Sequence, residues 1–307
     1  MHQTTGRWQL GMLLSITTAF FWGVLPIALK GIMDTLDSYT ITWYRFFVSL
    51  ILVLIILGRR NRIPDFSWIA NKRILLLFCL AIFGLCGNYI LYLLGLELIT
   101  ASAAQIVIQL APILLLVGGI FVFKESFSLA QWFGVVVFVI GLLLFFNHRL
   151  DSLLDNNSSY AIGVGLIGLA AVVWVVYALV QKQLLNHYGS QQVMYVIYLA
   201  ASIIFLPTAS IGDVLNLTGL QWFLLAFCCI NTIIAYGAFA AALEHWEASR
   251  VGAVIALAPL FTICFAYLTN QTFPTYMNFE PLNSLSIIGA LVLVGGSLLT
   301  ALAKKKS

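Results

Sequence analysis

Ten apolar stretches, each about long enough to cross a bilayer as a helix, follow one another along this chain with short polar breaks between them. They lie near 10–32, 40–57, 74–96, 100–123, 129–147, 160–181, 191–211, 220–243, 249–270 and 285–303. A segment in hydrocarbon must satisfy its backbone N–H and C=O groups without water, so only helices and closed barrels can span. The runs are continuously apolar and do not alternate at every second residue, which selects helices. Only 8% of the 307 residues are charged, against about 25% in a typical soluble domain. A soluble protein of this size could not cover its surface. The expected fold is an all-α integral membrane protein with ten transmembrane helices. The first run is too long for the h-region of a leader peptide and is read as a retained span.

The loop charges supply an orientation. With the N-terminus inside, the inner segments collect Arg7, Arg59, Arg60, Arg62, Lys72, Arg73, Lys124, Lys182, Arg250 and the Lys304–Lys306 run. The outer segments collect Asp34, Asp37, Glu97, Asp151, Asp155, Asp213 and Glu280, with Arg149 as the basic exception. That asymmetry matches the positive-inside rule and places both termini in the cytoplasm of a cell (inner) membrane protein. The five cysteines fall within apolar runs, without metal-ligand spacing, and read as small buried hydrophobes.

The sequence also repeats. "ASAAQIVIQLAP" (101–112) aligns with "ASRVGAVIALAP" (248–259), and at the same offset Tyr89 and Glu97 match Tyr236 and Glu244. Trp22 and Lys30 in helix 1 match Trp174 and Lys182 in helix 6, and "GVVVFVIGLLL" (134–144) matches "GALVLVGGSLL" (289–299). Glu125 pairs with Glu280 in this register, after an insertion around 270–279. The expected division is therefore 1–150 and 151–307. Each half holds five helices, an odd number, so the second copy must be inverted in the membrane. Inverted repeats of this kind mark secondary transporters, whose substrate site lies near the midplane between the halves.

These features together resemble the EamA family of the drug/metabolite transporter superfamily. The resemblance is carried by "FWGVLPIALK", "ASAAQIVIQLAPILLLVGGIFVFKESF" and "GVVVFVIGLLLF" in the first half. The second half carries "VWVVYALVQK", "ASRVGAVIALAPLF" and "GALVLVGGSLL". It implies a ten-helix carrier that works by alternating access around a cavity lined by helices 1, 3, 4, 6, 8 and 9. It also implies substrates such as amino acids, related metabolites or drugs, most often exported.

Helix 4 holds the least expected residues. Ser102, Gln105, Gln109 and Pro112 are spaced to share one helical face, and a stripe of amides is costly against lipid. Two readings stand: the glutamines line the cavity, or they bond to neighbouring helices. Their counterparts in helix 9 are Gly252 and Ala256. Asn88, Tyr89 and Tyr92 of helix 3, Asn231 and Tyr236 of helix 8, and Trp22, Trp174 and Tyr177 of helices 1 and 6 complete the candidate cavity lining. Pro26, Pro112 and Pro259 are candidate hinges, because proline cannot donate to the carbonyl four residues earlier. Lys30, Arg45 and Glu97 form a candidate outer gate, with snorkelling as the alternative for Lys30.

"LEHWEASR" (243–250) gathers Glu244, His245, Glu247 and Arg250 without the donor set of a metal site. No catalytic constellation, cofactor, metal or nucleic-acid patch is expected. The expected partners are a small-molecule solute and the lipid bilayer. The glycines of helix 10 (Gly289, Gly295, Gly296) suit packing on helix 5 or on a second subunit, which leaves a homodimer open. The reading is a non-enzymatic secondary transporter, exporter or exchanger, of small metabolites such as amino acids. Alternatives are a carrier of nucleotide-sugars or other phosphorylated solutes, disfavoured by the few basic residues in the spans, and a non-transporting membrane sensor.

Overall fold

A computed structural model describes residues 7–65, 67–123, 128–155, 158–246, 248–273 and 282–303. Thirteen α-helices are assigned along the described residues, with no strand. They are α1 (Trp8–Lys30), α2 (Ser38–Arg59), α3 (Lys72–Leu98), α4 (Ala101–Val107), α5 (Leu110–Phe123), α6 (Leu129–Phe145) and α7 (Leu150–Leu154). The chain continues through α8 (Ser159–Leu184), α9 (Ser190–Phe205), α10 (Gly219–His245), α11 (Ala248–Ile255), α12 (Ala258–Thr272) and α13 (Ser284–Leu302). Six of these, α1, α2, α3, α8, α9 and α10, are long and apolar enough to cross a membrane by themselves, and shorter apolar segments cover Ala101–Leu115, Leu129–Phe145 and Ser284–Thr300. The chain is a multi-pass membrane protein. Large apolar side chains such as Phe83, Phe133, Val136, Ile140, Phe223, Ile288 and Leu291 cover the outer faces, where acyl chains replace water.

Side-chain caps fix where the helices start. Asp37 accepts from the backbone N–H groups of Tyr39 and Thr40, Asn71 from those of Arg73 and Ile74, and Thr100 from that of Ala103. Ser128 with Gln131 and Thr218 with Gln221 form capping boxes at α6 and α10. Each satisfies N–H groups that the first helical turn leaves without partners.

Two expected spans are broken. The run 100–123 divides into α4 and α5, and the run 249–270 into α11 and α12. At the first break Gln109 N–H turns back to Ile106 C=O at 3.2 Å and Ala111 N–H to Ile108 C=O at 2.9 Å. The carbonyl that Pro112 cannot serve is thus taken by Ala111 instead of being left free, and the turn tightens. At the second break Leu257 N–H reaches Val254 C=O and Leu260 N–H reaches Leu257 C=O, just around Pro259. Pro26, by contrast, lies inside an unbroken α1. The run 191–211 ends early, at Phe205, where Pro207 opens a 3-10 turn. The 270–279 insertion, Glu125, Glu280, Lys124 and Lys304–Lys306 lie mostly or wholly outside the described residues.

Packing is closest where glycines let backbones touch. A Cβ on Gly141 would lie 2.3 Å from Leu293 N and 2.8 Å from Gly289 O, and one on Gly289 would lie 2.9 Å from Gly141 O. Gly134 and Gly296 are related in the same reciprocal way. Residues 134 and 141 thus face 296 and 289, so α6 and α13 run antiparallel, backbone on backbone. Gly295 meets nothing within 4 Å. Helices α3 and α8 also pair antiparallel, with Gly84 against Tyr177 and Gly95 against Gly163 and Ile167. Helix α1 meets α10 through Phe21 stacked on Phe227 and through Gly11 against Trp246. Helix α2 meets α9 through the Trp43 indole N–H, 3.0 Å from Ser202 O, and through Phe46 against Tyr198.

Candidate functional site

Arg45 is the one ionisable residue that α2 carries into the interior. It lies seven residues beyond the Asp37 cap's first helical position, Ser38, about 10 Å along the axis, and is 4% exposed. Its guanidinium carbon stands 4.3 Å from the centroid of the Tyr89 ring. Tyr89 is in turn stacked on Phe46, 4.5 Å centroid to centroid. Among the described residues, no Asp or Glu pairs with Arg45, and its Nε has no hydrogen-bond partner. Tyr92, Tyr198, Cys228 and Cys229 lie within its electrostatic reach.

The groups around it are short of partners too. Thr42 Oγ1, Ser49 Oγ and the Tyr89 hydroxyl are buried with none, as is Asn231 Oδ1. Thr42, Arg45 and Ser49 are spaced by three and four residues and share one face of α2. Buried hydroxyls elsewhere in the protein bond back to the carbonyl one turn earlier, as Ser15, Ser202 and Thr300 do at 2.7 Å. Thr42 and Ser49 do not. A buried unpaired polar atom costs about 1–3 kcal/mol, so several on one helix face form a concentrated polar demand.

The matched aromatic residues converge beside this face. Trp22 meets Tyr236 edge to face at 5.4 Å, and Trp174 lies within hydrogen-bonding reach of the Tyr236 side chain. Tyr89, Tyr177, Tyr198 and Tyr236 are mutually close. Tyr177 is 1% exposed and its hydroxyl reaches Met194 Sδ at 3.3 Å. Asn231 donates to Phe21 C=O at 2.7 Å, which ties α10 to α1 and leaves its own oxygen free.

Other candidates lie elsewhere. Asn88 donates to Ala170 C=O at 3.0 Å and joins α3 to α8. Gln109 is buried and donates to Ala256 C=O at 3.0 Å. Gln105, also buried, is one turn back on α4. Lys30 Nζ is 3.4 Å from the Glu97 backbone carbonyl, and the Glu97 carboxylate accepts from Ser38 Oγ at 2.5 Å. Lys30 and Glu97 therefore meet at one end of the bundle, while Arg45 is apart from them over Tyr89. Thr42, Ser49 and Tyr198 belong to no repeat or motif of the sequence. A stripe of Thr, Arg and Ser on one face of a span was the available signal, since an ionisable residue inside a span is a site by default.

Two cavities open on other surfaces. One of about 310 Å³ is lined by residues such as Val107, Leu142, Phe146 and Val164, and one of about 450 Å³ by Cys79, Phe83, Gly87 and Ile204. Both are apolar, and neither offers a charged group that would orient a polar solute, although the second is bounded by Phe205, which stacks on Phe46.

An apolar-coated helical bundle that buries a cation among aromatic side chains fits the class of membrane transporters. Within that class, the model of the EamA-like transporter family matches residues 9–147 and again 161–302. The chain belongs to that family. An uncharacterized transporter of Haemophilus influenzae is 38% identical over 296 residues, covering 96% of either chain. The uncharacterized inner membrane transporter YhbE of Escherichia coli is 36% identical over 306 residues, covering 99% of this chain and 94% of its own. A crystal structure superposes with a TM-score of 0.68 at 17% identity, over 97% of this chain and the whole of the other. That likeness concerns the fold alone.

Proposed function

We propose that the protein is a secondary transporter of small metabolites such as amino acids, working by alternating access between two inverted five-helix repeats, 1–150 and 151–307. Ten spans result when α4 with α5, and α11 with α12, are each counted as one broken crossing. Two facts support the inversion. Helices α6 and α13, which match in sequence, run antiparallel against each other. The pairing of α3 with α8 has its counterpart in that of α10 with α1. The loop charges favour cytoplasmic termini, and export or exchange accords with the family resemblance.

The observation that carries the site is the meeting of Trp22, Trp174, Tyr89 and Tyr236, two matched pairs from the two repeats, around one compartment in which Tyr89 is buried and the other three are half-buried. Aromatic walls with a few converging polar groups suit a small amphipathic solute. The test is counterflow in proteoliposomes with a panel of labelled amino acids and metabolites, with and without a pH gradient. Exchange of at least one solute is expected, lost in Trp22→Ala. Absence of flux for every solute refutes the reading.

A further inference from the structure

The geometry points to Arg45 as the group that binds the carboxylate of the transported solute, with Thr42, Ser49 and Tyr89 as the hydroxyl donors around it. This rests on the carrier reading and names its substrate class: solutes bearing a single carboxylate beside an apolar or aromatic body.

A guanidinium almost wholly buried, as Arg45 is at 4% exposure, and left without an anion is costly. Proteins normally bury arginine with a carboxylate beside it. Here, among the described residues, the partner is the face of Tyr89. A ring face offers only part of what a carboxylate offers: it attracts the positive charge but accepts no in-plane N–H bonds. The Nε–H remains unspent. Guanidinium N–H groups lie in a planar fork that fits a carboxylate with two parallel bonds.

The hydroxyls fit the same ligand. Thr42 and Ser49 flank Arg45 one turn to either side on its own face, and the Tyr89 hydroxyl is at the edge of the ring beneath it. Each carries an O–H without an acceptor, and a carboxylate has about four lone-pair positions to offer. One ligand group would therefore answer the unpaired arginine and the unpaired hydroxyls together. The charge count limits the ligand further. A diphosphate or phosphate dianion calls for two or more cations, and one Arg balances one carboxylate. The walls are Tyr, Phe and Trp, which suit an apolar side chain on the remainder of the solute.

The test uses the purified full-length protein in two formats. In detergent, the melting temperature is followed with millimolar amino acids and simple carboxylates, each compared with its uncharged carboxamide. In proteoliposomes, counterflow of the same panel is measured. At least one carboxylate is expected to raise the melting temperature of the wild type where its amide does not. Arg45→Gln is expected to lower that solute's apparent affinity by about tenfold or more, the size of a lost charge-assisted hydrogen bond. Arg45→Lys, which keeps the charge without the fork, should fall between the two. Tyr89→Phe keeps the ring under the guanidinium and serves as the milder variant; it should weaken binding of the carboxylate and leave that of the amide unchanged. If wild type binds carboxylate and amide alike, or Arg45→Gln binds and exchanges carboxylates as wild type does, the assignment is overturned while the carrier reading stands. If carboxylates stabilise the protein through Arg45 but no solute is exchanged, the carrier reading falls and the binding assignment survives.

Discussion

Replacing Gln109 by Met tests what the amide in the broken fourth span does. Ala256 lies at the break between α11 and α12. The donor that an unbroken helix would give its carbonyl is Leu260 N–H, which instead reaches Leu257 C=O at 2.9 Å. Gln109 supplies the missing donor at 3.0 Å from the facing break. Both residues are buried, Gln109 4% and Ala256 1% exposed. Methionine has nearly the volume of glutamine and no donor, so the substitution removes the bond with little change in packing. The lost bond is worth about 0.6 kcal/mol on average in membrane proteins, up to about 1.7; an orphaned buried carbonyl costs about 1–3 kcal/mol. A destabilisation of about 1–2 kcal/mol follows, a shift of roughly five- to thirtyfold in the unfolding equilibrium. Reversible unfolding in mixed detergent micelles measures it. Gln105→Met, on the same face one turn earlier, is the reference and should cost less than half as much. Equal costs for the two, or a Gln109→Met protein as stable as wild type but without transport, would refute the bonding role and restore cavity lining.

Arg45→Met should make the folded protein more stable by about 1–4 kcal/mol while impairing transport, because a desolvated charge is replaced by an apolar side chain of similar length; thermal unfolding with a parallel flux assay reads both. Gly141→Leu or Gly296→Val should abolish the folded state, since the new Cβ falls within 2.3–2.8 Å of opposing backbone atoms, whereas Gly165→Ala, with nothing within 4 Å, should be neutral or stabilising by up to about 1 kcal/mol; monodispersity on gel filtration separates the two. Thr262→Val removes the hydroxyl that donates to the Gly23 carbonyl at 2.6 Å and so ties α12 to α1. It should cost about 1 kcal/mol in the same micellar unfolding assay.

The membrane fold was readable in the sequence because hydrocarbon imposes one demand on every residue of a span, and twenty-residue runs record it directly. The helix breaks were half readable. Pro112 and Pro259 announce trouble, but the helices break earlier, at Ile108–Gln109 and at Ala256–Leu257, next to the carbonyls four residues before each ring that lose their donor. The role of Gln109 was undecidable from one dimension. A buried amide looks the same whether it faces a solute or a neighbour's carbonyl, and only the apposition of the two breaks separates these. Arg45 lies deeper than a run counted from residue 40 implies, by the two residues, about 3 Å, that the cap adds. The Asp37 cap starts the helix at Ser38, and the phase of the turns then points Arg45 inward. Tyr198 gave no sign, because a tyrosine in an apolar run reads as packing until Phe46 and Tyr89 are seen beside it.

Two of the contacts between residues 1–150 and 151–307 differ in what they permit. Along α6 and α13 the glycine pairs place backbone against backbone, and a shift of either helix along the other drives Cα atoms into carbonyls; that seam holds one register. Between the broken helices the link is a side-chain amide on a backbone carbonyl, which can be exchanged for another acceptor at a cost near 1 kcal/mol. Alternating exposure of a site, as proposed above, requires states separated by only a few kcal/mol, so the proposed movement belongs at the second kind of contact. The compartment of Arg45, Tyr89 and Tyr236 lies among α2, α3 and α10, away from the glycine seam. An anion that neutralises Arg45 would relieve a cost present in the empty protein, and it would shift the balance of states only as far as that relief differs between them.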